Sequence, residues 1–134
     1  PGLVEALGGV SMPAPYVLSP GGLDGFPSLR SPRVLFVQMG DDGSSARLAG
    51  EVRKAVDRAW PEGPQDRREF RAHLTVARIR RPLGRDEIKR LQAIQLRDCG
   101  EIPVEAFRLV ASELRPQGPR YTDQAVFALR KKGE

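Results

Sequence analysis

Apolar positions along this chain recur with two periods, one near 3.6 residues and one near 2. The opening "PGLVEALGG" has the helical spacing and halts at the pair Gly8-Gly9, which predicts the last turns of a helix. "VSMPAPYVLSPGGLDGFPSLRSP" interrupts the pattern with Pro and Gly. It leaves room for one strand, around Tyr16 to Leu18, which Pro13 and Pro15 push toward a sheet edge. "RVLFVQM", from Arg33 to Met39, is a continuous β-branched and aromatic run and predicts a buried strand; "DDGS" then turns the chain.

Residues 44 to 60, "SSARLAGEVRKAVDRAW", return to helical spacing, with Leu48, Val52, Val56 and Ala59 on one stripe and Ala49 and Ala55 widening it. Ser44 or Ser45 is expected to cap the start, Pro61 ends the element, and Trp60 is expected in the core. In "FRAHLTVARIR", residues 70 to 80, the period drops to 2. Phe70, Ala72, Leu74 and Val76 take the face expected to pack on helices, and Arg71, His73, Thr75 and Ala77 the other. On this alternation Arg78 falls with Leu74 and Val76. "GRDEIKRLQAIQL" predicts a helix from about Arg85 to Leu96, with Asp86 and Glu87 in the first turn where the helix dipole favours them. Two further strands, about Ile102 to Leu114 and Tyr121 to Lys131, are joined by the turn "RPQGPR". Helices interleaved with antiparallel-capable hairpins describe an α+β sandwich, helices outside a curved sheet.

Composition narrows the class. At 134 residues the chain has the size of one domain, and no apolar run approaches the roughly 20 residues of a membrane span. No secretory pattern is visible, and the one cysteine, Cys99, has no partner for an internal disulfide and no neighbouring base; a cytoplasmic protein is expected. The net charge of +5 favours polyanionic partners, nucleic acid above all. Between Arg67 and Arg90 nine basic residues stand against three acidic ones, around the single histidine of the chain.

That histidine, His73, can exchange a proton near neutral pH, and Thr75 on the same strand face can hold a phosphoryl oxygen. With its context, "FRAHLTVAR" resembles the second signature of the LigT-like family of two-histidine phosphoesterases, the RNA 2',3'-cyclic phosphodiesterases also called 2'-5' RNA ligases. "FPSLRSPRVLFVQM" is similar to the family's segment in which Phe-Pro precedes an Arg-Val-Leu strand. "FRLVASELRPQGPRYTDQAVFAL" is similar to its closing hairpin, with Ser112, Leu114 and Tyr121 on matching positions.

The resemblance implies a bilobal fold of curved antiparallel sheets, with residues 1–134 as one LigT-like domain. It implies a groove faced by one His-x-Thr motif from each lobe, no cofactor and no metal. By the same resemblance His73 and Thr75 are the catalytic pair of the second motif, and Arg78 and Tyr121 bind substrate. The partner it implies is RNA ending in a 2',3'-cyclic phosphate or a 2'-phosphate, opened by water, with 2'-5' ligation as a companion activity. The first His-x-Thr and the strands that carry it do not occur in this chain, and are expected upstream of Pro1 or lost. The alternative expectation is therefore a shortened, inactive relative that binds RNA or phosphate through its basic groove.

Overall fold

The computed structural model describes residues 2–64, 68–96 and 99–130. The elements run α1 (Gly2–Gly8), β1 (Tyr16–Phe26), β2 (Val34–Gly40), α2 (Ser44–Ala59), β3 (His73–Arg78), α3 (Arg85–Gln92), β4 (Ile102–Val104), β5 (Ala106–Arg115) and β6 (Gly118–Ala128). All paired strands with a described register are antiparallel, so the architecture is α+β. The chain divides into two compact units, residues 17–46 with 69–102, and residues 1–16 with 47–68 and 103–134.

The second of these units holds the larger core. Leu7 and Val10 from the α1 region, Leu48 and Ala55 from α2, and Phe127 and Leu129 from the end of the hairpin are buried together. Each large side chain there contributes about 1.5–3 kcal/mol by leaving water. The Phe107 and Phe127 rings stack with centroids 4.9 Å apart. As expected, α1 ends at the glycine pair, where the Gly9 amide reaches back to the Glu5 and Ala6 carbonyls.

The β5–β6 hairpin turns on Pro116-Gln117, two residues rather than the longer loop expected. Gly118 follows at φ +122°, a conformation that a Cβ would strain. The single strand expected from Ile102 to Leu114 breaks at Glu105, whose carbonyl accepts the Leu129 amide, so that β4 and β5 belong to different sheets. The expected end of the last strand at Lys131 lies outside the described residues.

The first unit carries the sheet in which β3, β2 and β1 lie side by side. β1 runs to Phe26, well past the Leu18 expected. Its ladder to β2 shifts register between Pro20 and Leu23. Proline has no amide hydrogen to give, and the two glycines absorb the bulge, so a Pro/Gly cluster that reads as loop is accommodated within a strand. α2 starts where expected, at Ser44, and two carboxylates bind its first amides. Asp42 accepts the Ser44 amide at 3.1 Å and Asp41 the Ser45 amide at 3.0 Å. α3 ends a turn early, at Gln92.

Two burial expectations fail. Trp60, read as core, is half exposed at the end of α2. Phe70, Leu74 and Val76, read as packing beneath helices, are 41%, 50% and 53% exposed. Among the described residues β3 is an edge strand of its sheet, with a neighbour on one side only, and an edge strand buries less of both its faces.

Candidate functional site

The site is built by register. Along β2, alternation sends Val34, Phe36 and Gln38 to one face, and Leu35, Val37 and Met39 to the other. Leu35 is buried, so the second face is the inner one. Residues directly opposite across an antiparallel pair share a face. β3 therefore brings His73, opposite Gln38, and Thr75, opposite Phe36, onto the outer face. β1 adds Asp24, opposite Phe36, and Phe26, opposite Val34. Two contacts agree with this count. The His73 and Phe36 rings meet edge to face at 5.4 Å, and Gln38 Nε2 donates to Asp24 Oδ2 at 2.7 Å.

Arg78 corrects the sequence reading. Between Leu35 and Phe36 the β2–β3 ladder shifts, so that Leu35 opposes Ala77 while Phe36 opposes Thr75, and Val76 is the extra residue. One inserted residue reverses the alternation beyond it. Arg78 then opposes Val34 and joins His73 and Thr75 on the outer face, instead of lying with Leu74.

His73 is held in a defined state. Its Nδ1 lies 2.8 Å from the Arg71 carbonyl oxygen, which can only accept, so Nδ1 carries the proton and donates it. Nε2 is thereby left with the ring's free lone pair, on the exposed outer face. Thr75, next on the same face, is exposed. The strand thus presents an imidazole, a hydroxyl and, after the bulge, a guanidinium, groups that can each bond a phosphoryl oxygen.

Tyr121 is placed differently. It belongs to the hairpin unit, opposite Ser112 on β5, and is 67% exposed. The structure brings His73, Thr75 and Arg78 together on one sheet. Tyr121 is not part of that sheet.

The basic stretch around this strand is partly committed elsewhere. Arg81 grips Glu87 through two hydrogen bonds of 3.2 and 3.0 Å, and Arg71 lies 3.7 Å from Glu69. The Arg81 bond, then the Gly84 amide at 3.0 Å, hold the Glu87 carboxyl below the usual carboxylate range, and the same pair raises Arg81. This pair fastens the start of α3. Arg67, counted in the basic cluster, lies outside the described residues.

Phe26, Asp24, Phe36 and Gln38 escaped the sequence reading as site residues. The alternation of Phe36 and Gln38 in "RVLFVQM" was a usable signal, but the partners across β1 depend on the glycine bulge, which pattern alone does not reveal.

This geometry gathers an imidazole, a hydroxyl and a guanidinium on one exposed sheet face, and comparison with known proteins shows which folds resemble the chain. No family model matches the sequence. A protein named RNA 2',3'-cyclic phosphodiesterase from Archaeoglobus fulgidus is 35% identical over 115 residues, 84% of this chain and 62% of that protein. Its namesake from Methanothermobacter thermautotrophicus is 31% identical over 117 residues, 86% of this chain and 61% of that protein. The crystal structure of TT0787 of Thermus thermophilus superposes with a TM-score of 0.75 at 33% identity, covering 97% of this chain and 70% of that one. A crystal structure of a phosphoesterase shares the fold, with a TM-score of 0.68 at 23% identity over 96% of this chain and 67% of that one.

The chain belongs to the LigT-like RNA 2',3'-cyclic phosphodiesterase family of two-histidine phosphoesterases. It spans about three-fifths of the length of the curated relatives it matches. Among the described residues no helix is long and apolar enough to cross a membrane.

Proposed function

We propose that the outer face of β3 is the phosphate-engaging part of an RNA 2',3'-cyclic phosphodiesterase site, with residues 1–134 contributing one LigT-like domain. His73 Nε2 exchanges the proton, the Thr75 hydroxyl donates to a phosphoryl oxygen, and Arg78 binds the RNA end. Water attacks phosphorus, the bond from phosphorus to the 3' oxygen breaks, and that oxygen takes up a proton, leaving a 2'-phosphate and a 3'-hydroxyl. With a 5'-hydroxyl as nucleophile, the same displacement joins two RNAs by a 2'-5' linkage. No step calls on a metal or cofactor.

The observation that carries this reading is the His73 Nδ1 bond to the Arg71 carbonyl, which leaves Nε2 for the ligand beside Thr75. The names of the relatives supply the substrate class. The test is turnover of an RNA oligonucleotide ending in a 2',3'-cyclic phosphate, in chelator, by the wild type, His73→Ala and Thr75→Ala. A positioned acid or base contributes about 10² to 10⁴ in rate, so His73→Ala should lose a factor of that order. A His73→Ala protein as active as the wild type would refute the assignment.

A second reading is favoured by one fact, the single histidine of the chain. If the reaction needs two, this chain by itself is an RNA-end binder. Salt-sensitive binding of the oligonucleotide without turnover would select that reading.

A further inference from the structure

The outer face holds more than a phosphate needs. Phe26 closes β1, opposite Val34, and Val34 in turn opposes Arg78, so Phe26, Val34 and Arg78 form one row across three strands. Phe26 is 67% exposed. Its backbone, in contrast, is fastened. The Phe26 carbonyl accepts the Arg33 amide at 2.8 Å, closing the loop between them. That loop folds so tightly on Gly25 that an added Cβ would stand 2.8 Å from Pro32 Cβ and 2.9 Å from the Ser28 oxygen. A ring presented to water from a clamped backbone is positioned in advance for a ligand.

Electrostatics divide the face. Arg78 puts positive charge at the β3 end of the row. On β1 the Asp24 carboxylate, which accepts from the Gly25 amide at 2.7 Å and from Gln38, supplies the opposite sign. A phosphate is therefore favoured over β3 and disfavoured over β1. A neutral, flat, aromatic part of the same ligand fits over β1. Strand spacing and rise place the Thr75 and Phe26 backbones about 12 Å apart, from two strand spacings and one two-residue step. Both side chains stand on the same face, and the gap between them suits one nucleotide.

We infer that Phe26 is the stacking platform for the terminal nucleobase of the RNA whose phosphate engages His73 and Thr75, an inference that rests on the phosphoesterase reading above. Stacking on an exposed ring tolerates any base, because every base has a π face. The face would then hold RNA ends by nucleotide shape, without sequence preference at that position.

The test measures binding of a short fluorescent RNA ending in a 2'-phosphate, beside an otherwise identical RNA with an abasic terminal nucleotide and a third ending in a plain 3'-hydroxyl. Phe26→Ala should weaken the intact RNA by roughly 5- to 150-fold. It should leave the abasic RNA unchanged, and Phe26→Trp should restore tight binding. The exposed ring can be removed without opening the core, and far-UV circular dichroism checks that the fold is kept. Equal affinity of the wild type and Phe26→Ala for intact RNA would overturn the inference. So would equal affinity of the wild type for intact and abasic RNA. The phosphate reading fails separately, if the wild type binds the plain 3'-hydroxyl end as well as the 2'-phosphate.

Discussion

Arg78 separates two accounts of β3. On simple alternation it lies on the inner face with Leu74, and its removal would leave an outer-face ligand untouched. With Val76 as the extra residue it stands on the outer face, two rungs from Thr75. Two rungs are about 7 Å, and a unit charge at that distance contributes about 0.6 kcal/mol in bulk water and about 2.4 kcal/mol at an effective dielectric constant of 20. Arg78→Ala should therefore weaken binding of a 2'-phosphate RNA end by roughly 3- to 50-fold, nearer the lower figure because the strand is exposed. It should also lower the salt slope of binding by about one phosphate contact. The control is Arg33→Ala, which removes the same unit of charge within the same unit of the fold. Arg33 precedes Val34, and alternation places it with Leu35 on the opposite face. The assay is fluorescence anisotropy across a salt series. If Arg78→Ala moves affinity and slope no more than Arg33→Ala does, the face assignment through the bulge is wrong.

Two further outcomes test the fold. Phe127→Ala removes a buried ring stacked on Phe107, and should cost about 3–5 kcal/mol in urea unfolding; a cost below about 1 kcal/mol would mean that the hairpin root is not core. Glu87 has its folded pKa depressed, so its contribution is fully present above the unfolded carboxylate pKa and fades as pH falls through the folded value. Arg81, raised by the same pair, stays charged throughout that window. The Gly84 amide, followed by NMR, should move at pH values below the usual carboxylate range, and the movement should vanish in Glu87→Gln.

Local chemistry accounts for much of the element order. The α1 stop at Gly8-Gly9, the span of α2, the strand at Arg33 to Met39 and the strand at His73 were all legible, because each rests on period or on a breaker residue. Of the candidate site, the shared strand face of His73 and Thr75 was legible, because they stand two positions apart on one strand. Its family was legible from ordered motifs rather than from that tripeptide. What was not legible follows from pairing. β1 continues through Pro20-Gly21-Gly22 because β2 lies beside it, and Leu74 and Val76 are exposed because β3 is an edge. Neither neighbour is written in the local pattern.

The sequence by itself determined the class of this protein: α+β, basic, with one His-x-Thr strand set among arginines. Only the tertiary structure decided which other side chains share that strand's outer face. Period 2 is a local rule, but a single inserted residue reverses it, and whether Val76 is inserted depends on the register that β2 imposes. That register moved Arg78 onto the face of His73, and through Val34 it set Phe26 in the same row.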